Sequence, residues 1–141
     1  MTQAPPLTGQ DIGLAANATR KLLDILLDRT GTTFDEWVAL RTLALEGPVI
    51  PPAALLPDLA GKLSAGEPAV AALLDRLTAR GLVQEGFALT ADGQALFARL
   101  RDAVAGVTAR MYGDLDAGDL AVTRRVLAQV TERAHRLRTE L

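Results

Sequence analysis

Hydrophobic residues recur at helical spacing along most of the chain, and they divide it into five or six helical segments. The first predicted helix runs from about residue 11 to residue 29, with Thr8 upstream as its capping residue. A capping box of Thr33 and Glu36 then opens a second helix, which ends at Gly47-Pro48. The apolar stripe of the first helix consists of Leu14, Ala18, Leu22, Ile25 and Leu26.

Residues 48 to 63 contain four prolines, which limit the length of any helix there. They predict extended or turning backbone until a short helix over residues 57 to 63, in whose first turn Pro57 lies. Another helix follows over residues 68 to 80, with Pro68 in its first position. Two short helices joined by a small turn indicate a helix-turn-helix.

A small hairpin is predicted directly after this second short helix. Gly81 tolerates the left-handed backbone that ends a helix, so the helix stops at Arg80. Apolar and polar residues alternate on both sides of Glu85-Gly86, which we assign as the turn between two very short strands. The apolar positions are Val83, Phe87 and Leu89. A helix that leads into such a hairpin is the layout of a winged helix.

Two long helices with heptad-like apolar rows are predicted after the hairpin, capped by Thr90 and Asp116. Together with the first helix they offer more apolar surface than a small winged helix buries, which favours a helical homodimer. An intramolecular helical hairpin is the alternative. The rows are Phe97, Leu100, Val104, Val107 and Met111 in the first helix, and Leu120, Thr123, Leu127, Val130, Ala134, Leu137 and Leu141 in the second.

Composition narrows the class of protein further. With 141 residues, 49% of them hydrophobic but only 4% aromatic, the chain is long enough for one domain whose core is filled by Leu, Ala and Val. No run of 18 apolar residues and no signal-peptide pattern is present, so we expect a cytoplasmic protein without membrane contact. The net charge of −2 means that any nucleic-acid binding must come from a local patch.

The residues needed for catalysis or metal binding are nearly missing. The chain has no cysteine, one serine (Ser64) and one histidine (His135), and the last two lie on distant elements. A nucleophile and its base must lie within hydrogen-bond reach, and zinc sites need several Cys or His ligands. We therefore predict that the protein is not an enzyme and uses no cofactor or metal.

The chain resembles the MarR family of bacterial transcriptional regulators over almost its whole length. The resemblance implies a mainly α protein, a winged helix-turn-helix with a minimal β-hairpin wing and long N- and C-terminal helices that form a dimerisation region. It implies a single domain over residues 1–141, with the DNA-binding lobe at 48–90 and the dimerisation helices and flanking second helix at 11–47 and 90–141. The matching residues are Leu74-Asp75-Arg76-Leu77, Ala79 to Val83, Leu89-Thr90, Gly93, Thr33, Trp37, Leu40, Leu59-Ala60 and Leu63.

The chain differs from the family in the two elements that contact DNA in family members, the start of the second short helix and the wing. In the family, the second helix of the helix-turn-helix is the recognition helix, here the predicted helix over residues 68 to 80. Base edges and phosphates require hydrogen-bond donors and acceptors, but the start of this helix is almost without them. The wing, from Val83 to Leu89, contains no cation, and residues 49 to 90 hold three bases and four acids. DNA binding should therefore be weakened. The helix-start positions are Gly66, Glu67, Pro68, Ala69, Ala71 and Ala72.

Four residues are candidate DNA contacts, each with an ordinary alternative. Lys62 and Ser64 flank the turn and could meet phosphate, or form a solvated surface pair. Arg76 could reach the backbone or stabilise the base of the wing. Arg80 is explained more simply as a cation near a helix carboxyl end.

The resemblance also places Trp37 near the family's ligand cleft, with Arg20 and Arg41 as partners for an anionic group. The alternative is that Trp37 packs in the core and that both arginines lie on the surface, since large aromatic side chains are usually buried for packing. The resemblance thus implies a homodimeric regulator that binds operator DNA and responds to a small aromatic ligand. A MarR-like dimer that has lost sequence-specific DNA binding, and acts as a ligand-binding or protein-interaction module, is the alternative.

Overall fold

The computed structural model describes residues 5–47 and 50–141, except the side chain of Pro52. Within these residues the chain forms six helices and one two-stranded antiparallel hairpin, which confirms the predicted fold class. The elements are α1 (Gly9–Asp28), α2 (Phe34–Leu45), α3 (Pro52–Leu63), α4 (Glu67–Ala79), β1 (Val83–Gln84), β2 (Ala88–Leu89), α5 (Ala91–Tyr112) and α6 (Ala117–Glu140).

The predicted caps are present at the starts of the helices. Thr8 begins α1 with a full capping box, because its hydroxyl accepts from the Asp11 amide and the Asp11 carboxylate accepts from the Thr8 amide. The hydroxyl of Thr90 accepts from the Gly93 amide at 3.0 Å at the start of α5, and Asp116 caps α6. Pro48, expected to help end α2, lies outside the described residues.

Helix α3 is longer than predicted, because it begins at Pro52 instead of Pro57. Pro52 occupies the first helical position, where its missing amide costs nothing. Pro57 lies inside the helix and removes the hydrogen bond that its amide would have given to the carbonyl one turn earlier. Leu55 and Leu59 lie on either side of it and are buried in the core, so their packing keeps the helix intact across the proline.

The hairpin also differs in one detail from its prediction. Val83 pairs with Leu89 and Gln84 with Ala88, which leaves a three-residue loop instead of the two-residue turn. Phe87 belongs to this loop, with a positive φ of 59°, and its amide donates to the Gln84 carbonyl at 3.1 Å. The side chain predicted to continue the strand alternation therefore lies at the hairpin tip.

The chain divides into two compact units, one ending at Val104 and the other covering Ala105–Leu141. In the first unit, one core cluster joins α2, α3, α4 and the hairpin, and a second one contains Leu27, Trp37, Phe97 and Leu100. The predicted division into a lobe at 48–90 and dimerisation helices stays a prediction.

The long terminal helices expose apolar side chains. In the first unit, α1 exposes Leu14 and Ile25. In the second unit, α6 has no buried residue and exposes Leu127, Val130 and Leu137. These are the rows from which we predicted a homodimer.

Candidate nucleic-acid interface and ligand cleft

Helices α3 and α4 form the helix-turn-helix, and their packing fixes the turn between them. Leu59 of α3 and Val70 and Leu74 of α4 are almost fully buried in the same cluster. Ser64 ends α3 in the left-handed conformation, with φ 51°. Its side chain is exposed, which fits both a contact with phosphate and a solvated surface position.

The start of α4 is exposed and has no side-chain cap. Gly66 is the capping residue, and it offers no oxygen to the amides of the first helical turn. Such amides, with the positive end of the helix dipole, favour a negatively charged partner, although the carboxylate of Glu67 already partly offsets that charge. The backbone at this end of α4 thus provides donors that the side chains lack.

One exposed face of α4 carries methyl groups and a single cation. Ala69, Ala72 and Arg76 follow each other at helical spacing and together line a cleft of about 280 Å³. Asp35 of α2 lines the same cleft. No described carboxylate lies within ion-pairing distance of Arg76, so its charge is available to an outside partner.

Lys62 is paired with two acids at the protein surface. Its ammonium group pairs with Glu46 and lies 3.0 Å from Asp58, and it donates to the Thr42 hydroxyl at 3.2 Å. Burial alone would lower the pKa of Lys62, but the hydrogen bonds and charges of the two acids raise it above its usual 10.5. The lysine therefore links α2 to α3, and its charge is compensated.

Arg80 is also paired, with a carboxylate that is buried. Its guanidinium donates to Glu36 of α2 at 2.5 Å, and Glu36 is only 6% exposed. Burial alone would raise the pKa of Glu36, but hydrogen bonds from the Thr33 backbone and from Arg80, with the charge of Arg80, bring it below its usual 4.5. Of the three bases in the lobe, Arg76 alone has no ion-pair partner among the described residues.

A larger cleft lies beside the hairpin, between its tip, the end of α2 and the first half of α5. Its volume is about 590 Å³ and its walls are mostly apolar, with Gln94 and Arg101 as the polar side chains. The Arg101 guanidinium lies 5.8 Å from the ring centre of Phe97, which also lines the cleft. It also pairs at 3.3 Å with the exposed carboxylate of Asp102, its neighbour in sequence. An apolar cleft with one cation suits a small molecule that carries a negative group.

The three predicted ligand residues are not brought together in either of these clefts. Trp37 is buried and stacks on Phe97, with ring centres 5.8 Å apart, so it packs in the core. Arg20 lies over the Phe34 ring at 3.5 Å and pairs with Asp24. Arg41 is exposed on α2.

Sequence reasoning missed the cleft residues Gln94 and Arg101. They are seven positions apart on one face of α5, and the apolar row that includes Phe97 runs beside them. That spacing is visible in the sequence. The cleft itself is not, because its opposite walls come from other elements, α2 and the hairpin. In the described residues no group of acids and histidine is placed to hold a metal ion, and no helix there has the length and apolar character needed to cross a membrane.

No protein-family model matches the chain, and no curated protein matches it. Several solved structures, in contrast, are similar to it. The transcriptional regulator PA3341 is 25% identical, with a TM-score of 0.77 over 91% of this chain and 98% of that one. The MarR family protein Rv2887 of Mycobacterium tuberculosis, in complex with salicylic acid, is 28% identical, with a TM-score of 0.65 over 90% of this chain and 99% of that one.

The same Rv2887 protein in complex with DNA is also similar, with 28% identity and a TM-score of 0.68 over 90% of this chain and 98% of that one. These neighbours are regulators and not enzymes, and they match the chain over about nine-tenths of its length. The predicted resemblance is confirmed: the chain has the winged helix-turn-helix fold of the MarR family of transcriptional regulators.

Proposed function

We propose that this protein is a transcriptional regulator that binds double-stranded DNA as a homodimer through α3, α4 and the hairpin. The observation that carries the proposal is the exposed, uncapped start of α4 within a helix-turn-helix. The likeness to Rv2887, which has been solved with DNA, supports it. In such motifs the second helix enters the major groove and its first residues face base edges.

The binding should depend little on salt and much on shape and methyl contacts. Each protomer has one uncompensated cation in the lobe, Arg76, because Lys62 and Arg80 are paired within the protein. Counterion release scales with the number of phosphates neutralised, so few are released here. Ala69 and Ala72 offer methyl groups, whose favourable base contact is the methyl group of thymine.

Replacing Arg76 by methionine should weaken DNA binding and flatten its salt dependence. The slope of log affinity against log salt should fall by roughly 2 per dimer, about 0.9 for each phosphate that is no longer neutralised. Fluorescence anisotropy with a duplex from the protein's own promoter region, from low to moderate salt, measures it. Lys21→Met, which removes an exposed cation of α1, is the matched control and should leave the slope unchanged.

Two results would count against this proposal in different ways. If the wild-type protein does not bind the duplex at micromolar concentration and low salt, the protein is not a DNA-binding regulator. If it binds but Arg76→Met keeps the wild-type slope, the lobe meets DNA without Arg76.

We propose further that a small aromatic acid regulates the protein by occupying the cleft beside the hairpin. Salicylic acid is bound by Rv2887, which is similar over most of its length. Here Arg101 would pair with the carboxylate, Gln94 would donate a hydrogen bond, and the apolar walls would cover the ring. Trp37, Arg20 and Arg41 are the alternative set from the family resemblance.

Trp37 gives a direct signal for this cleft, because it is the only tryptophan and stacks on Phe97 at the cleft wall. Titration with salicylate should change its fluorescence saturably, and Arg101→Met should weaken binding about tenfold, as expected when a charge-assisted hydrogen bond is removed. Arg99→Met, an exposed neighbour on α5, is the control. Full affinity in Arg101→Met, with weaker binding in Arg20→Met or Arg41→Met, would move the site to the alternative set.

The second candidate function is a MarR-like dimer without sequence-specific DNA binding, which acts as a ligand-binding or protein-interaction module. The internal pairing of Lys62 and Arg80 favours it, together with a hairpin that contains no cation. Equal affinity for promoter and unrelated duplexes in the same titration would support this candidate over operator recognition.

A further inference from the structure

Glu36 is the one buried acid with a long-range partner in the described residues, and both of its oxygens are in use. Oε1 accepts from the Thr33 amide at 2.9 Å, which is its role in the capping box of α2. Oε2 accepts from the Arg80 guanidinium at 2.5 Å, from a residue 44 positions further along the chain. The carboxylate therefore ties the start of α2 to the end of α4.

Arg80 occupies the point where the recognition helix turns into the hairpin. It is the capping residue at the end of α4, and Gly81 follows with φ 74°. The next two residues, Leu82 and Val83, are buried. A side chain anchored at Arg80 therefore fixes both the end of α4 and the first strand of the hairpin.

The two residues that follow Arg80, Gly81 and Leu82, are also bonded to Thr90 at the start of α5. The Thr90 hydroxyl donates to the Gly81 carbonyl at 2.6 Å, and the Thr90 amide donates to the Leu82 carbonyl at 3.0 Å. These bonds fix the backbone after Arg80, whereas Glu36 fixes the side chain of Arg80 itself. Removing the Glu36 anchor would leave the end of α4 joined to α2 only through the apolar core cluster, without a bond that fixes the Arg80 side chain.

The burial of Glu36 also decides between two roles for Arg80. If Arg80 turned outwards to a phosphate, the Glu36 carboxylate would stay buried with only a backbone amide as its partner. Breaking a buried pair by removing one charge is strongly unfavourable, because the other charge stays desolvated. Arg76, one turn earlier on α4, can meet phosphate without that cost.

We infer that Arg80 is a positioning residue, which holds the recognition helix and the hairpin base against α2 through Glu36, and that it does not contact DNA. The DNA part of this inference rests on the proposed function. The positioning part concerns the folded protein alone, so the two can fail separately.

The test uses Glu36→Gln, Arg80→Met, the double variant and Arg80→Lys. Glutamine keeps the capping box of α2, because Gln serves there as well as Glu, but it removes the charge that Arg80 meets. Methionine keeps the length of the arginine stem without its charge. We expect Arg80→Met to lower the folding equilibrium constant about tenfold in urea titrations, with a smaller effect in Arg80→Lys. Adding Glu36→Gln to Arg80→Met should cost nothing more.

Two further measurements separate positioning from general destabilisation. Hydrogen exchange in Arg80→Met should speed up at the amides of residues 81 to 90, while the amides of α3 keep their protection. In DNA titrations Arg80→Met should keep the wild-type salt slope, whereas Arg76→Met lowers it.

Three results would overturn the inference. They are additive effects of the two substitutions on stability, a salt slope in Arg80→Met as low as that of Arg76→Met, and tighter DNA binding by Glu36→Gln because Arg80 is released to a phosphate. If the wild-type protein binds no DNA, the proposed function fails, and the stability and exchange measurements still decide whether Arg80 positions the lobe.

Discussion

Replacing Gly93 by alanine is expected to destabilise the protein by about 3 kcal/mol, at the upper end of the range for overpacking in a well-packed site. A β-carbon at this position would lie 2.1 Å from the carbonyl oxygen of Leu82 and 3.0 Å from its carbonyl carbon. Both atoms belong to backbone, and Leu82 is held there by its bond from Thr90. The first turn of α5 would have to move away from the hairpin base, which urea denaturation would report.

The control for this substitution is Gly61→Ala in α3. A β-carbon at Gly61 meets nothing within 4 Å, so alanine should stabilise the helix by about 0.5–1 kcal/mol through its higher helix propensity. The two substitutions add the same methyl group to two helices and are expected to act in opposite directions. A Gly93→Ala protein as stable as the wild type would show that α5 shifts easily and that this close approach does not fix the hairpin.

Local signals made much of the fold predictable from the sequence. The capping box of Thr33 with Glu36 uses residues three positions apart, and such a pair is visible in the sequence. Thr8 was predicted only as a cap, and the structure adds Asp11 as its partner in a second box. Gly81 marked the end of α4 because it has the left-handed backbone that the position needs. In each case the determining interaction lies within one turn of backbone.

Two predictions about local structure were wrong, the start of α3 and the length of the hairpin loop. Pro57 marked a helix start by local rules, but the burial of Leu55 and Leu59 against α4 carries α3 through it. Phe87 fitted a strand alternation, but the hairpin loop takes three residues and places it at the tip. Tertiary packing outweighed local preference at Pro57, whereas the register of the two strands decided the place of Phe87.

In the candidate DNA-binding lobe, the number of charged residues was predictable from the sequence, but their ion pairs were not. Counting residues predicted a lobe with slightly more acids than bases, and that count holds. It could not tell how fully the bases are compensated, because Glu46 lies 16 positions from Lys62 and Glu36 lies 44 positions from Arg80. Only Asp58, the second partner of Lys62, lies within about one helical turn of it. The consequence is functional: the lobe presents one uncompensated cation, and both paired cations connect the lobe to α2.

The capping role of Glu36 was predicted from the sequence, and its second role was not. The same carboxylate that caps α2 accepts from Arg80, so one side chain serves a local and a long-range interaction. Trp37, the next residue, stacks on Phe97 of α5. Neighbouring residues at the start of α2 thus contact α4 and α5 separately.

Replacing Leu127 by glutamate is expected to convert the proposed dimer into a monomer. Leu127, Val130 and Leu137 recur at spacings of three and seven on α6, and all three are exposed in a helix that has no buried residue. A second copy of the chain would cover these side chains and remove them from water. In a symmetric dimer each substitution occurs twice, so two carboxylates would be desolvated without partners.

The dissociation constant of the dimer should therefore rise by at least about 100-fold, since each 1.4 kcal/mol is worth a factor of ten and a buried unpaired charge costs several times that. Sedimentation equilibrium measures it, with 14.9 kDa as the mass of the monomer. Gln129→Glu, which adds the same charge to the same helix outside the apolar row, should leave the dimer intact. A wild-type protein that sediments at the monomer mass would refute the dimer, and a Leu127→Glu protein that dimerises as tightly would place the interface elsewhere.

Loss of the dimer should also weaken DNA binding, because paired half-sites on DNA require two lobes at a fixed spacing. The monomeric variant should therefore bind a palindromic duplex only weakly, while each lobe keeps its weak affinity for a half-site.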